Sequence, residues 1–539
     1  MHARDVTRAV PRVLCLGSGW SSLYCVRAMA RAVRRGEVDV TVVGRDNFHT
    51  FHGFVAEMLT GRIQPGQIIS AARRMFPPAR FHNAEIEGID TRRRVVTTSR
   101  HLDGRRYELP YDHLLVALGS VDDLSRFPGI SEHTLRLKTY WDCFKVRNHL
   151  LSMMELAEIE PDETERRRLL TFVVVGGGYG GVEVAAEIHD YIRVLAARDY
   201  RAVDPREARV IVVHSGERIL PELHEAHPRL VRYAERYLAG RGLEFRLGLR
   251  LAAATPEEAV LSNGERIPSR SIISSAGTAL SPLLEQLPFE RDDRGRLVTD
   301  EFTRVPGAEN VWAAGDCAAV PHPRSGVCPP LAIFAMTQGR QVGRNILRAV
   351  RGRQLRPYRF VGLGDACGLG RRHAVAHIRG IEATGVLAWI LWRLTFLWYV
   401  PTFDRRMRIV LDWLVTPFVG RDIVEIRVRE PFGLKREHYE PGQEIVRQGE
   451  LGQRLYLIWK GEVEVVRENG TGHEVLARLG PGQHFGEIAV FQNVRRTATV
   501  RALTPVEVIA IGASEARTLS ETVKPFGEAM TRRPGDSNH

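Results

Sequence analysis

The sequence predicts an α/β fold with two Rossmann-like dinucleotide-binding domains, a helical segment and a C-terminal antiparallel β-barrel. Two glycine-rich turns, each between a short apolar run and a helical run, predict the two Rossmann-like domains. Near the carboxyl end, short alternating strands separated by glycine are typical of a small antiparallel barrel. The chain has 539 residues. Because this exceeds what one hydrophobic core usually organises, we expect three or more domains.

The strongest motif begins at Thr171, where the uncharged run TFVVV predicts a buried parallel strand. Gly176, Gly178 and Gly181 follow in the pattern G-x-G-x-x-G, and a helical run begins at Val182. In this pattern the glycines make a tight turn, let the backbone approach a pyrophosphate, and let the helix pack on the strand. The helix N-terminus favours an anion. The motif therefore predicts a nucleotide-binding loop rather than an ordinary glycine turn.

A second loop of this kind lies near the amino end. The apolar run Val13 to Leu16 is followed by GSGWSS, in which Gly17 and Gly19 take the first two glycine positions. Ser22 takes the third position, where its small side chain suffices. Two such loops in one chain predict a two-dinucleotide flavoprotein, in which one loop holds FAD and the other a nicotinamide nucleotide.

The second strand of the first unit, expected over Val38 to Val43, should end in an acid that binds the adenosine ribose. Gly44 occupies that position. Two alternatives remain for the ribose, since either Asp46 or the backbone together with Arg45 could hold it.

Two further apolar strands, YDHLLVALGS and NVWAAGDCA, each end in a turn of small residues. The second strand ends at Gly315 and Asp316, ahead of a helix expected to begin near Ala332. An aspartate at a turn is more often only a cap. Beside two glycine loops, we expect Asp316 to accept hydrogen bonds from the flavin-side ribityl hydroxyls, with the helix N-terminus directed at the flavin pyrimidine.

Composition narrows the classes of function. The net charge is +12, but the basic residues are spread along the chain and no nucleic-acid module is visible, so no nucleic-acid partner is expected. The cysteines show no C-x-x-C and no regular spacing, which argues against a disulfide framework, a zinc site or any other metal site. The N-terminus lacks an apolar signal core, which predicts a protein that is not secreted. The cysteines are Cys15, Cys25, Cys143, Cys317, Cys328 and Cys367.

An aromatic and basic stretch begins at Gly385. A transmembrane helix needs roughly 20 uninterrupted apolar residues, whereas this run is broken by Arg393 and ends at Pro401. Tryptophan and arginine side chains so close together are typical of helices that lie in a membrane interface, with rings at the headgroups and arginines toward anionic lipid. The alternative is a buried helical hairpin that closes the flavin domain. The residues concerned are Trp389, Trp392, Trp398, Tyr399, Trp413, Arg405, Arg406 and Arg408.

The C-terminal barrel contains the segment FGEIAVFQNVRRTATVRA, which begins at Phe485. It supplies N–H groups and an arginine for a phosphate, and a carboxylate for a ribose hydroxyl. The segment resembles the phosphate-binding cassette of the cyclic nucleotide-binding domain. The resemblance implies that Arg496 pairs with the cyclic phosphate, Glu487 takes the 2′-hydroxyl, and Gly486 and Thr497 complete the site. Thr497 is compatible with cAMP or cGMP, and the alternative is a barrel that binds neither.

Between about Val13 and Val428 the motifs GSGW, FHTFHGFVAEMLTGR, LLVALGS, FPGI–LKT, VVVGGGYGGVE and NVWAAGDCA resemble a type II NADH dehydrogenase. Enzymes of that family pass electrons from NAD(P)H through FAD to quinone. The resemblance implies catalytic roles for Glu183, near the hydride-transfer end, and for Gln338, beside the quinone pocket. It also implies binding of FAD by Gly17, Gly19, Trp20, Ser22, Ala117, Gly119 and Asp316, and of the nicotinamide nucleotide by Gly176, Gly178, Gly181, Glu183 and Gly277. Ser21, Arg45, Gly315 and Ala332 complete the predicted flavin site, and His214 completes the predicted nicotinamide site.

The sequence departs from the family pattern at two places. The strand RVIVVHSGERIL ends in His214 where an acid would bind the NADH ribose, and Arg218 is nearby. Loss of the acid permits a 2′-phosphate, so relaxed or NADPH-leaning specificity is one hypothesis and a solvent-facing histidine without either role is the other. In PPLAIFAMTQG, Ile333 and Thr337 replace two of the glutamines that flank the quinone pocket in the family. Two alternatives therefore remain for the electron acceptor, a quinone or another small molecule.

These inferences predict a peripheral flavoenzyme on the cytoplasmic face of the membrane, regulated by cAMP or cGMP, with a homodimer as a further expectation. A cyclic nucleotide-responsive redox sensor without steady turnover is one alternative. Sulfide:quinone oxidoreductase is another, for which only Cys143 and Cys328 could form the required pair. The expected domains are 1–140 and 281–345 (FAD-binding), 141–280 (NAD(P)-binding), 346–428 (membrane-facing), 429–520 (cyclic nucleotide-binding) and 521–539 (disordered tail).

Overall fold

The first part of the chain builds a five-stranded parallel sheet in the computed structural model. Strand β1 lies in the middle of this sheet between β9 and β2, so its carboxyl end opens onto the first glycine loop. The elements are β1 (Arg12–Leu16), α1 (Trp20–Arg34), β2 (Asp39–Gly44), β3 (Phe48–Thr50), α2 (Val55–Leu59), β4 (Ile69–Ala71), α3 (Ala72–Met75), β5 (Arg80–Asn83), β6 (Glu85–Asp90), β7 (Val95–Ser99), β8 (Arg106–Pro110), β9 (His113–Val116) and β10 (Ser120–Asp122).

A second parallel sheet follows, with β12 at its centre between β13 and β18. Its strands are buried on both faces, which explains the continuous apolar runs in the sequence. The elements are α4 (Ile130–His133), β11 (Thr134–Arg136), α5 (Tyr140–Ile159), α6 (Glu163–Leu169), β12 (Thr171–Val175), α7 (Tyr179–Arg198), β13 (Arg209–His214), α8 (Pro221–Ala226), α9 (Pro228–Gly240), β14 (Leu243–Leu247), β15 (Leu251–Ala254), β16 (Glu258–Leu261), β17 (Arg266–Pro268), β18 (Ser271–Ser274) and β19 (Thr278–Leu280).

The chain then returns to the first sheet, where β21 pairs with β9 in parallel. Helix α10 packs closely on α1 at Gly339. A Cβ added at this position would lie only 2.0 Å from the Ser21 carbonyl oxygen. The elements are β20 (Leu297–Val298), β21 (Val311–Ala313), β22 (Ala318–Ala319) and α10 (Ala332–Val350).

A small antiparallel sheet and two helices follow. Helix α11 packs its buried Trp392 against the first two units, while many apolar side chains on α11 and α12 stay exposed. Among the described residues, no helix is both long and apolar enough to cross a bilayer. The elements are β23 (Gly364–Gly368), β24 (Ala374–Ile378), β25 (Ile381–Thr384), α11 (Gly385–Tyr399) and α12 (Phe403–Val419).

The C-terminal part is a barrel-like pair of four-stranded antiparallel sheets with a core of its own. The elements are β26 (Leu434–Tyr439), β27 (Glu444–Val446), β28 (Arg454–Lys460), β29 (Val463–Asn469), β30 (Gly472–Leu479), β31 (His484–Phe485), α13 (Glu487–Gln492), β32 (Thr499–Ala502), β33 (Val506–Gly512) and α14 (Ala513–Thr522).

The structure describes residues 10–101, 103–122, 130–275, 277–324, 326–426, 434–450, 452, 454–469, 472–492 and 494–522. The predicted tail, 521–539, therefore lies outside the described residues from position 523 onward.

Candidate functional site

The first glycine loop lies against the end of β9. Gly17 has φ +98°, and a Cβ there would lie 2.2 Å from the Ala117 carbonyl oxygen, so only glycine fits. Gly19 caps the N-terminus of α1 and faces open space. The two glycines therefore perform the turn and the approach that the sequence motif predicts, and they leave room for a pyrophosphate.

A cavity of about 530 Å³ opens over this loop. Arg45, Arg136 and Lys138 supply positive charge to its wall, together with an open helix N-terminus. The residues present therefore fit an elongated dinucleotide. Of the predicted flavin-binding residues, those that line the cavity are Gly17, Gly19, Arg45, Ala117 and Gly119, whereas Trp20, Ser21, Ser22, Gly315, Asp316 and Ala332 lie outside its lining.

Asp316 is nevertheless bound to this wall. The Ser120 hydroxyl donates to the Asp316 carboxylate over 2.8 Å, and the Lys138 ammonium donates to the Ser120 hydroxyl over 2.8 Å. Lys138 lies in the LKT motif, far from Asp316 in the chain, and was not among the predicted binding residues. Ser21 and Ala332 lie where α1 meets the start of α10, and the Ser21 hydroxyl donates to the Ala335 carbonyl.

The unusual Gly44 has a steric reason. A Cβ at this position would lie 2.7 Å from the Cβ of Ser18, so the first glycine loop occupies the space that an acidic side chain would need. Arg45 and Asp46 both line the cavity, with their charged groups 3.8 Å apart. Both alternatives for holding the ribose therefore stay predictions.

The second glycine loop repeats this geometry at the end of β12. Gly176 has φ +116°, Gly178 caps the N-terminus of α7 and faces open space, and a Cβ at Gly181 would lie 1.9 Å from the Gly176 carbonyl oxygen. Gly277 has φ +88° in the loop after β18. The second sheet thus presents its own open helix N-terminus, which fits a second dinucleotide.

Glu183 follows this loop on the first turns of α7. Its carboxyl Oε1 accepts hydrogen bonds from the Gly368 N–H and the Trp392 indole N–H, each over 2.9 Å. Burial raises the pKa of Glu183 to about 8, even though these two hydrogen bonds lower it. The raised pKa favours the protonated form of this carboxyl group beside the second glycine loop.

His214 and Arg218 do not form a positively charged site at the end of β13. The His214 ring packs on Gly177, and burial lowers the pKa of the ring. The Arg218 guanidinium donates to Glu235 over 2.8 Å. The NADPH hypothesis stays a prediction, but the arginine expected to favour it is already paired with a carboxylate.

Gln338 lies on α10 and is buried, with 2 % of its surface exposed. Its side-chain oxygen accepts the Gly315 N–H over 2.8 Å, so it holds the turn that carries Asp316. Thr337 bonds to the Tyr358 hydroxyl over 2.8 Å. The structure therefore gives Gln338 a hydrogen bond to the turn after β21, and its predicted catalytic role stays a prediction.

The aromatic stretch differs from the expectation of rings at the headgroups. That expectation is wrong for Trp392, which is 4 % exposed and bonds to Glu183. Arg393 pairs with the buried Glu57 over 2.7 Å, and the Trp413 indole donates to the other Glu57 oxygen over 2.7 Å. These side chains point inward, where they donate hydrogen bonds to Glu57 and Glu183. No local sequence signal identifies these pairs.

In the barrel, the predicted cyclic nucleotide residues lie together around Arg496. This arginine is 7 % exposed and donates to the Gly486 and Arg454 carbonyl oxygens over 3.0 and 2.7 Å. Glu487 begins α13, and Thr497 lies exposed beside Arg496. A buried guanidinium bonded only to carbonyl oxygens, among the described residues, keeps a full positive charge available for an anion.

Two parallel sheets, each with a glycine loop open at a helix N-terminus, define a two-dinucleotide flavoprotein. The family model for pyridine nucleotide-disulphide oxidoreductases matches residues 11–339, which is more than half of the chain. The chain belongs to this family, as a type II NADH dehydrogenase-like oxidoreductase fused to a cyclic nucleotide-binding domain. Models for the NDH2 C-terminal domain and the cyclic nucleotide-binding domain match residues 364–422 and 436–522.

Several known proteins are similar to this chain. A type II NADH:quinone oxidoreductase of Mycobacterium tuberculosis is 30% identical over 426 residues, which cover 76% of this chain and 87% of the relative. A demethylphylloquinone reductase of Synechocystis is 28% identical and covers 76% of this chain and 98% of its own length. The structure of NDH2 from Plasmodium falciparum in complex with NADH has a TM-score of 0.70 at 16% identity and covers 77% of this chain and 100% of that chain. This last likeness concerns the fold alone.

Proposed function

We propose that this protein is an FAD-dependent NAD(P)H dehydrogenase of the NADH:quinone type, which takes hydride from NAD(P)H and passes electrons to a quinone or a similar acceptor. The observation that carries the proposal is the position of Glu183. It joins the second nucleotide loop to β23 and α11, through Gly368 and Trp392. When bound, the flavin supplies the hydride-accepting and electron-transferring chemistry.

The protein's own residues bind, orient and shield the reactants. The open helix N-termini at Gly19 and Gly178 would hold the two pyrophosphates. Lys138, Ser120 and Asp316 form a linked set at the wall of the first cavity that would orient the ribityl chain. The Glu183 carboxyl group, whose pKa is raised and which accepts the N–H of the buried Trp392 indole, would limit water and unpaired charge at the nicotinamide end.

The proposed electron acceptor is based on the names of the relatives and on the residues of α10. The relatives' names include a type II NADH:quinone oxidoreductase and a demethylphylloquinone reductase, so a quinone is the first choice. Ile333 and Thr337 stand where the family pattern has two glutamines, so the proposal includes a similar small acceptor, and Gln338 lies beside Thr337 on α10.

The proposed location is the cytoplasmic face of a membrane, with α11 and α12 against the lipid. Supporting this location, both helices carry large apolar side chains with more than half of their surface exposed. Contiguous exposed apolar area of this kind usually marks an interaction surface. The most exposed of these residues are Leu387, Leu394, Trp398, Phe403, Leu411, Leu414, Phe418 and Val419.

The alternatives have less support. Sulfide:quinone oxidoreductase chemistry needs a cysteine pair at the flavin, whereas Cys143 and Cys328 are buried in separate hydrophobic cores. A solved sulfide:quinone oxidoreductase from Aquifex aeolicus shares the fold, with a TM-score of 0.58 and 15% identity. Among the residues that the structure describes, no feature favours a redox sensor without turnover over the dehydrogenase.

Anaerobic flavin reduction tests the proposed activity. We expect NADH to bleach the oxidised flavin absorption within seconds, and a short-chain quinone to restore it. Repeating the titration with NADPH decides the specificity, since Arg218 is already paired with Glu235. Flavin that is present but stays oxidised with both nucleotides would contradict the dehydrogenase, and reoxidation by oxygen but not by quinone would contradict the acceptor.

We further propose that cyclic nucleotide binding to the barrel regulates the oxidoreductase. The support is a chain of contacts that begins at Arg496, which bonds to the Arg454 carbonyl. The Arg454 guanidinium donates over 2.8 Å to Glu437, which is 2 % exposed in β26. The next residue along β26, His438, donates its N–H to the His133 ring over 2.7 Å. A ligand phosphate that draws Arg496 away from Arg454 would therefore act on a strand that contacts His133 at the end of α4.

The chain that follows His133 leads to the proposed flavin site. His133 ends α4 and precedes β11, after which Lys138 bonds to Ser120 and through it to Asp316. A second contact fixes the barrel, since the Gln443 amide donates to Glu258 over 2.8 Å. The barrel thus contacts both the end of α4 and the start of β16.

The substitution Arg496→Gln is expected to weaken cAMP and cGMP binding by about 100-fold, because losing one partner of a buried, hydrogen-bonded charge pair costs about 2–5 kcal/mol. Isothermal titration with each nucleotide measures this change. The neighbouring Arg495 is exposed and bonds to a carbonyl oxygen, so Arg495→Gln is the matched control and should bind normally. Equal losses in both variants would contradict the assignment, and binding without any change in turnover would contradict regulation.

A further inference from the structure

A pocket lined by arginines lies between the end of α7 and helices α11 and α12, away from both glycine loops. Its volume is about 390 Å³. Two tryptophan rings, Trp389 and Trp413, form part of its wall, and Asp199 is the carboxylate among the lining residues. The arginines that line it are Arg62, Arg198, Arg372, Arg393 and Arg421.

Some of these arginines already have acidic partners. Arg393 pairs with Glu57 over 2.7 Å and Arg62 with Glu187 over 2.8 Å. Arg198 lies 3.9 Å from Asp199, which is a weak and exposed pair. These contacts neutralise the inner wall of the pocket but not its outer part.

Arg421 and Arg372 have no carboxylate within ion-pair distance among the residues that the structure describes. The Arg421 side chain stacks on the Tyr191 ring and donates to the Thr60 carbonyl oxygen over 3.3 Å. Burial and the charge of Arg62 lower the pKa of Arg421, although Glu187 and Asp190 act in the opposite direction. Asp190 is itself bonded to Arg241. The pocket therefore carries an excess of positive charge at a partly buried guanidinium, which an anion would stabilise.

The surroundings of the pocket are apolar. Val386 and Pro417 line it, and Val194 beside them is 44 % exposed. Phe418 follows Pro417 directly and is 87 % exposed, on the apolar surface of α12. An anion bound here would therefore lie at the edge of an apolar surface rather than in a polar cleft.

We propose that this pocket binds the phosphate of an anionic membrane lipid, whose acyl chains lie along the exposed apolar side chains of α11 and α12. Guanidinium groups bind phosphate oxygens through paired hydrogen bonds, and Arg372 and Arg421 are the groups with donors to spare. The adjoining apolar surface favours a lipid over a free phosphate. This inference rests on the proposed membrane location and adds a preference for lipid charge to it.

Vesicle flotation of the full-length holoprotein tests the proposal. We expect stronger binding to vesicles of phosphatidylcholine with phosphatidylglycerol than to phosphatidylcholine alone. The double substitution Arg372→Gln/Arg421→Gln should lower the affinity for the anionic vesicles by about 30-fold, at about 1 kcal/mol for each basic residue near the surface. The single substitution Arg372→Gln, at an exposed residue, should give a smaller loss without any risk to folding.

The matched control is Arg92→Gln/Arg294→Gln, which removes the same charge from exposed positions outside the pocket. Equal losses in the control and the pocket variant would overturn the specific site. Full competition by millimolar inorganic phosphate at constant ionic strength would assign the pocket to free phosphate and overturn the lipid. Failure to bind either type of vesicle would overturn the membrane location itself, whereas equal binding to both types would overturn only the charge preference.

Discussion

The substitution Gly178→Ala is expected to lower the rate of flavin reduction about 100-fold when the NADH concentration is limiting. The protein should stay folded and keep its flavin. A Cβ at this position meets no protein atom within 4 Å, and the backbone is in an ordinary extended conformation. The methyl group therefore fills only the space that a pyrophosphate needs. Lost hydrogen bonds to a charged group cost about 1.5–3 kcal/mol each, so one or two of them account for the expected effect. Stopped-flow reduction at several NADH concentrations measures it.

Two other glycines make this prediction specific. Gly240→Ala also adds a methyl group in open space, far from either loop, and should leave reduction unchanged. Gly181→Ala should impair the whole domain, because its Cβ would meet the Gly176 carbonyl oxygen at 1.9 Å. Normal reduction in Gly178→Ala would show that the nicotinamide nucleotide does not lie over this helix.

The substitution Glu57→Ala is expected to lower the free energy of unfolding by about 3–5 kcal/mol, because it leaves Arg393 buried without its counter-ion. Glu57 is 1 % exposed and accepts hydrogen bonds from both Arg393 and Trp413, so it joins α2 to α11 and α12. The loss should appear as a lower Tm, with early release of flavin and a change in tryptophan fluorescence.

Matched variants separate charge from packing. Glu217 is exposed, so Glu217→Ala should change the free energy of unfolding by no more than about 0.5 kcal/mol. The double substitution Glu57→Leu/Arg393→Leu should be less destabilised than Glu57→Ala, because no unpaired charge remains. A double variant as unstable as the sum of its single variants would contradict the buried-charge explanation.

Much of the fold follows from local sequence. Thr171 to Val175 and the glycines after it predict a strand and a turn without reference to distant residues, since a backbone with φ +116° at Gly176 needs glycine. Two further features follow in the same way, because each depends on residues within a short segment of the chain. They are the start of α10 at Ala332 and the clustering of Gly486, Glu487, Arg496 and Thr497.

The partners of side chains far apart in the chain could not be predicted. The sequence shows arginines and tryptophans in the helical stretch, and their composition alone suits lipid headgroups as well as a protein interior. Trp392 and Arg393 point inward because the half-buried Glu183 and the buried Glu57, more than 200 residues earlier, accept their hydrogen bonds. The sequence alone allows Arg218 to bind a ligand phosphate. In the structure, however, α9 brings Glu235 within hydrogen-bond distance of the Arg218 guanidinium.

The sequence by itself determined the two nucleotide loops, the barrel and the family, because each depends on residue types at short, fixed spacing. Only the tertiary structure decided which charges are neutralised, where the pocket of arginines forms, and that His438 touches His133. The physical reason is that ion pairs, hydrogen bonds and burial depend on how helices and strands pack across the chain. Local sequence limits that packing but does not specify it.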